Sequence, residues 1–429
     1  MRRRASGSTL PGMASSNGSG SNGERPRVLI AGGGVAALEA CLLLRSTVSA
    51  HDVDVALIAP APQFSYRPLS VLESFGAGPA WTMPLARFAA DQEVTLVHDG
   101  LAGVRPDDGA VDTTSGAIYP YDALLVAIGG TPRPQIPGAL TFQGSTDSRA
   151  MRRVLDDAAA RLRPRIVFAI GAATSWAMPL YELALLTAGH LRGRGSRAEI
   201  TLVTPEACPL EIFGPRATDV VADLLEQHEI ATIANAEPMR FDDGELLLVD
   251  GRTVPADRVI ALPRVAGRFI DGLPQDPAGF VPVDRHGRVP GCRGVYAAGD
   301  ITTFEFKQGG LATQQADAAA EAILADLGLP IEPRPFSPVL QGMLLSDSEP
   351  RYLRRRLGES AASASASEAR SYCLWWPPSK IAGRFLSPYL TIRAGAPRAP
   401  AARPWSDIIP VRLDVADAMV RGAGPIPAD

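Results

Sequence analysis

The sequence predicts an α/β protein built from two Rossmann-type domains, and two observations predict it. The run "RVLIAGGGVAALEACLLLRS" reads as an apolar strand, a glycine turn and a helix, with a second strand, "VDVALIAP", behind it. The run "RIVFAIGAATSWAMPLYELALLTA", followed by "AEITLVTP", repeats the plan later in the chain. Units of this kind set parallel strands side by side through right-handed crossovers. At 429 residues the chain exceeds one ordinary core. Its apolar share of 46% and charged share of 21% are those of a soluble globular protein. A net charge of −4 leaves no nucleic-acid footprint.

Taken in order, residues 1–24 are rich in Gly, Ser and Asn and lack the apolar core of a signal peptide, so a disordered tail is expected. The first strand–turn–helix unit follows. Two segments, around "DDGAVDTTSG" and "FDDGELLLVDG", read as short strands joined by Asp-Gly turns, one in each repeat. The apolar stretch from Ile166 to Ala188 is interrupted by Gly171, Pro179 and Glu182, well short of the roughly 20 clean residues a membrane span needs. "GVYAAGD" is another buried strand, and "GGLATQQADAAAEAILADLG" a helix stopped by Gly328. "GESAASASASEARS" reads as a polar loop and "APRAPAARP" as a proline-rich connector.

The first glycine turn carries chemistry. Gly32 permits the tight turn, and Gly34 lets backbone approach a pyrophosphate. Ala37 replaces a third glycine and still allows close helix packing. Gly33, Val35 and Ala36 complete the loop, and the helix behind it presents free N–H groups to the phosphates. The carboxylate that ordinarily ends the second strand and holds a ribose is missing, because Ala59 stands there.

Two further segments make the pattern specific: "YPYDALLVAIGGTPRPQIPG" and "GVYAAGDITTFEFKQGGLATQQADAAA". With "AGGGVAALEA" they resemble the FAD-containing pyridine nucleotide–disulfide oxidoreductase superfamily. Within it, the likeness is to the branch of sulfide:quinone oxidoreductases and type II NADH dehydrogenases, over about Arg27 to Leu329. This resemblance implies that the second domain is inserted between the halves of the first. The implied layout is an FAD-binding domain at 25–140 and 268–335, an NAD(P)-type domain at 141–267, and a C-terminal cap or interface region at 336–429.

The resemblance assigns roles to named residues. Gly299 and Asp300 end a strand, with the carboxylate accepting from a ribityl hydroxyl. Gly309 and Gly310 open a helix whose positive end stabilises negative charge on the reduced flavin. Lys307 adds a full charge at that edge and is the candidate catalytic residue. Arg67 and Pro68 match a loop lying over the cofactor, and Ala127 and Gly129 a small-residue turn beside it.

The second glycine turn departs from the pattern. Ala173 replaces the second glycine, Trp176 sits near the third small position, and Thr204 stands where a ribose-binding acid is expected. Trp176 is expected to fill the pyrophosphate groove, so ordinary NADH binding is disfavoured, while Thr204 leaves NADPH open. Sulfide chemistry needs thiols beside the flavin. The family's positions hold Thr174, Ser175, Ser145 and Thr146 instead, and Cys41, Cys208, Cys292 and Cys373 fall elsewhere. No zinc spacing is present.

The expected function is an oxidoreductase passing electrons from a small-molecule reductant through non-covalent FAD to a quinone-like acceptor. The expected location is cytoplasmic. Trp375 and Trp376 near Lys380 and Arg384 leave open either peripheral contact with the inner face of the membrane or a folded cap or homodimer contact. Two alternatives also stay open: an NAD(P)H-dependent flavoprotein reductase of ferredoxin reductase type, and a non-catalytic flavin-binding protein.

Overall fold

The computed structural model describes residues 25–358 and 367–393. The expected tail (1–24), part of the serine-rich loop (359–366) and the proline-rich connector (396–404) lie outside them. Two parallel five-stranded sheets organise the chain. The first runs Val295–Ala297, Ala123–Val126, Arg27–Ala31, Asp54–Ile58 and Thr95–Val97. The second runs Leu140–Thr141, Arg258–Ala261, Arg165–Ala169, Glu199–Val203 and Ile230–Ile233. The strand Val295–Ala297 joins the first sheet only after the second is complete, so the second unit is inserted in the first. The central strands are continuous apolar runs because both of their faces are covered.

Helix Val35–Thr47 follows directly on the first glycine turn, and helix Gly309–Asp326 packs along it. Both are buried on nearly every side, and alanines such as Ala40, Ala312, Ala316 and Ala319 let them approach closely. An antiparallel ribbon, Thr131–Arg133 against Arg264–Ala266, carries the chain between the two units.

Beyond Gly328 lies a three-stranded antiparallel sheet, Val339–Leu344, Arg351–Arg356 and Ser367–Arg370. The last of these corrects the loop expected across the serine-rich stretch. Its final residues pair with the neighbouring strand, and the Glu368 carboxylate accepts from Arg354. Leu340, Met343 and Leu353 pack into the core of the second unit. Leu386, Tyr389 and Leu390 of the last helix, Leu386–Arg393, pack into the core of the first. The C-terminal region therefore touches both units.

Candidate active site

In open parallel sheets, ligands bind outside the carboxyl ends of the strands, where the strand order reverses. In the first sheet that point lies between Arg27–Ala31 and Ala123–Val126. Gly32 and Ala127 sit there back to back. A Cβ on Gly32 would lie 2.2 Å from the Ala127 carbonyl oxygen, and its φ of +131° is one L side chains rarely adopt. Gly33 is closed in by Leu85 and by Ala59, which confirms that no carboxylate ends the second strand. Gly34, by contrast, has nothing within 4 Å of where a Cβ would stand. It caps the helix that starts at Val35, with Ala36 and Ala37 buried behind it. This is a cradle with room for a phosphate before a helix N-terminus.

The other predicted residues converge on the same edge. At Gly299, with φ +81°, a Cβ would lie 3.2 Å from the Ala36 Cβ, and its amide donates to Gln315 Oε1 at 2.7 Å. Gly129, at φ +69°, faces open space. The Asp300 carboxylate is partly buried and makes no hydrogen bond to protein among the described residues. Burial pushes it up from the usual carboxylate range, while Lys307 and then Arg67 pull it down. Together, the open Gly34 and the unpartnered Asp300 acid fit the pyrophosphate and polyol of FAD, which wants small backbone at one end and an acceptor at the other.

Next to them lies a cavity of about 260 Å³. Arg67, Pro68, Lys307 and Gly309 supply one wall and Ser175, Trp176 and Met178 of the second unit another. Met343, Lys380 and Ile381 of the C-terminal region close it. The Gly309 helix begins at this wall, with Gln308 as its cap accepting from the Leu311 amide at 2.8 Å. A Cβ on Gly309 would press on Ile381 at 3.1 Å, and one on Gly310 would meet the Gln308 side chain at 3.0 Å. Lys307 Nζ donates to the carbonyls of Thr302 (2.5 Å) and Phe304 (2.6 Å) and lies 4.0 Å from the centre of the Phe280 ring. Burial pulls its pKa down to about 8, against the opposing pull of Asp300.

Sequence reasoning did not pair Lys380 with its partner, Glu182. Lys380 Nζ donates to Glu182 Oε1, which also accepts the Leu345 amide at 2.9 Å. The side chains are 7% and 0% exposed. Glu182 Oε2 is buried without a partner among the described residues. Burial pushes Glu182 up and Lys380 down, and each opposes the shift of the other. A signal was present in the sequence. The chain holds 42 basic residues, and all but Lys307 and Lys380 are arginine. Both lysines line this one cavity.

The second reversal point differs. Gln135 enters it, its Nε2 donating to Thr174 Oγ1 (2.7 Å) and to the Leu262 carbonyl (2.9 Å). A Cβ on Gly171 would meet Gln135 Oε1 at 2.3 Å. The following helix starts only at Met178, whereas only residues 32–34 separate the first unit's strand from its helix. Trp176 was expected to fill this groove. It packs edge-on against Phe213 at 5.8 Å and lines the 260 Å³ cavity beside Ser175, Leu262 and Pro263. Thr204 is buried as expected of a non-acid, but Glu206 stands two residues on. Its carboxylate is turned inward, accepting from the Tyr181 hydroxyl at 2.5 Å and from Thr204 Oγ1 at 2.9 Å. Burial pushes it upward.

No cysteine lines the cavity, all four thiols are free, and Cys41 is buried with its pKa pushed up to about 12. Among the described residues there is no cluster of ligands for a metal ion, and no helix is long and apolar enough to cross a membrane.

The family model for pyridine nucleotide-disulphide oxidoreductases matches residues 26–321. The chain belongs to this family. An NADH dehydrogenase-like protein of Mycobacterium tuberculosis is 26% identical over 299 residues, 64% of this chain and 72% of that protein. The sulfide:quinone oxidoreductase of Aquifex aeolicus superposes with a TM-score of 0.70 at 21% identity, over 80% of this chain and 86% of that one. A ferredoxin reductase of Rhodopseudomonas palustris gives a TM-score of 0.58 at 20% identity, over 77% and 82%. As a pyridine nucleotide-disulphide oxidoreductase of two-unit α/β fold, the protein is an FAD-dependent oxidoreductase.

Proposed function

We propose that the protein passes electrons from a reductant to a quinone-like acceptor held in the 260 Å³ cavity, with lysine amines supplying protons there. One observation carries this reading: a chain that writes arginine everywhere else keeps lysine at two places, both on this cavity. Arginine cannot give up its proton in a protein, whereas a buried lysine shifts its pKa readily and can. Reduction of a quinone to a quinol consumes two protons as well as two electrons, so a titratable amine at the site has a task that a fixed charge does not.

When bound, FAD supplies the two-electron store between donor and acceptor. Gly32 to Ala37 would hold its pyrophosphate, Asp300 its polyol hydroxyls and Ala127 and Gly129 the adjoining turn. Arg67 and Pro68 would close over it, and the amides of Gly309 and Gly310 with Lys307 would set a positive edge. Lys380 would hold a proton at Nζ, with Glu182 keeping that amine inside the cavity wall. Residues 25–140 and 268–335 form the FAD unit in this reading, 141–267 the second unit and 336–429 the cap. The cytoplasm is the proposed location, and the exposed rings of Tyr372 and Trp376 suit contact with a membrane surface.

An NAD(P)H donor is disfavoured by Gln135 at the second reversal point. The deciding experiment is anaerobic titration of the holoprotein with NADH, NADPH and sulfide, followed by a quinone analogue. Donor-reduced protein reoxidised by the quinone analogue supports the reading. Bleaching by nicotinamide without quinone reoxidation favours the reductase alternative, and no reaction with any donor favours a binding protein. Lys380→Arg keeps the charge but not the titratable proton. It is expected to retain FAD and lower quinone-analogue turnover by about 10²-fold or more.

A further inference from the structure

A second cavity lies away from the flavin side. It measures about 1080 Å³, at the upper end of what small-molecule ligands occupy, and shares no lining residue with the first cavity. Helices Ser148–Ala159 and Met178–Gly193 form two of its sides. The end of the short helix Arg67–Phe75, with the turn behind it, forms the third. Phe75, Leu155 and Leu186, all buried, give it an apolar floor.

The polar groups here divide into spent acceptors and unspent donors. Three carboxylates line the cavity, and each already has a donor. Glu73 accepts the Ala80 amide (2.7 Å) and the hydroxyls of Ser145 (2.6 Å) and Ser148 (3.0 Å). Asp156 accepts from Arg194 at 3.0 Å, and Asp347 from His228 at 2.5 Å. The donors are placed differently. Arg152 gives one N–H to the Glu73 carbonyl at 2.6 Å and pairs with no carboxylate among the described residues. Ser74, the residue joined to that carbonyl, is 2% exposed, and its hydroxyl has no partner among the described residues. A buried hydroxyl without a partner is uncommon in folded proteins. With nothing to hold it, this one is free to turn about χ1.

What is left over is a guanidinium and a hydroxyl one peptide apart, beside an apolar floor. Unspent donors want an acceptor, and an unpaired guanidinium is best matched by a carboxylate or phosphate. The floor decides between a bare, hydrated anion and one with an apolar body, because only the second would cover Phe75, Leu155 and Leu186.

We propose that this cavity is a second binding site, which takes a small carboxylic acid with an apolar body. The carboxylate pairs with Arg152 and accepts the Ser74 hydroxyl, and the body lies on Phe75, Leu155 and Leu186. The site goes beyond the electron-transfer reading and does not depend on it, because the two cavities have no residue in common.

The probe is 1-naphthylacetate, set against its neutral counterpart 1-naphthylacetamide. Each is titrated into the FAD-loaded protein and followed by saturation-transfer NMR. For a ligand of this size, half-saturation by the acid is expected at about 1 mM. The amide, which lacks the charge, is expected to bind about fivefold more weakly. Arg152→Gln should cost the acid about the same fivefold and leave the amide unchanged. Ser74→Ala should weaken the acid about threefold. It should leave the thermal midpoint of the probe-free protein unchanged or raise it, since the lost hydroxyl had no bond to give up. Retained FAD absorbance shows that each variant is folded. Should Arg152→Gln prove unstable, Ser74→Ala and the comparison of acid with amide carry the test. Inorganic phosphate in tenfold excess should fail to displace the acid. Acid and amide bound alike, or an acid affinity unmoved by Arg152→Gln, overturns the proposal. So does the absence of saturable binding at ten times the expected concentration. Displacement by phosphate overturns it too, by showing a bare anion site with no use for the floor.

Discussion

Lys307 and Lys380 occupy one cavity but are built differently, and the difference sets their chemistry. Lys380 is held by a carboxylate, Lys307 by two carbonyls and a ring face. Carbonyl dipoles offset the loss of hydration only in part, so the Lys307 amine falls to about 8, close to working pH. Between that value and its ordinary 10.5 the unfolded chain binds more protons than the folded one. The contribution of Lys307 to stability therefore rises with pH across that window and is at its lowest below it. Its electrostatic effect on the site runs the other way, being full below pH 8 and fading above. A flavin reduction potential followed from pH 6 to 9.5 should fall more steeply above about pH 8 in the wild type than in Lys307→Arg, which holds its charge throughout. Parallel curves for the two proteins would remove Lys307 from the flavin edge.

The two glycine turns show how far one element can be read from sequence. The first turn was legible because its constraints are local: three glycines, the strand before them and the helix after them lie within a few residues. The structure separates their duties. Gly32→Ala puts a Cβ 2.2 Å from a backbone oxygen at a φ of +131°, so the variant should fail to fold or expel FAD with loss of secondary structure. Gly34→Ala puts its methyl into empty space, so the protein should fold normally. That methyl would stand where the pyrophosphate is proposed to lie, and FAD affinity should drop tenfold or more, about 1.4 kcal/mol or above. Circular dichroism and fluorimetric FAD titration of the pair check this. A Gly34→Ala protein with full affinity would put the phosphate elsewhere. In the second turn the sequence showed that the cradle was altered but gave no sign of Gln135. Gln135 enters the turn, reaching Thr174 across 39 positions and Leu262 across 127. No local pattern reports such a contact. The inward turn of Glu206 toward Tyr181 was hidden in the same way, by a separation of 25.

At the scale of the molecule, the cavity exists only because three parts of the chain meet. The pair that joins two of them, Glu182 and Lys380, lies 198 positions apart. A buried ion pair is weak evidence for stability, since replacing both partners with apolar groups is often neutral. Removing one partner commonly costs about 3–5 kcal/mol, because the other is left charged and unpaired. The pair here already leaves Glu182 Oε2 without a partner. The fold alone gives no reason to keep it in a chain that packs Leu, Ala and Met around it. Stability and chemistry can therefore be pulled apart. Lys380→Met alone should lower the thermal midpoint of the holoprotein by several degrees. Adding Glu182→Leu should recover most of that loss, by removing the stranded acid. Quinone-analogue turnover should remain low in both, because neither restores a titratable amine to the cavity. A double variant that regained stability and turnover together would make the pair structural and would remove the lysine from the reaction.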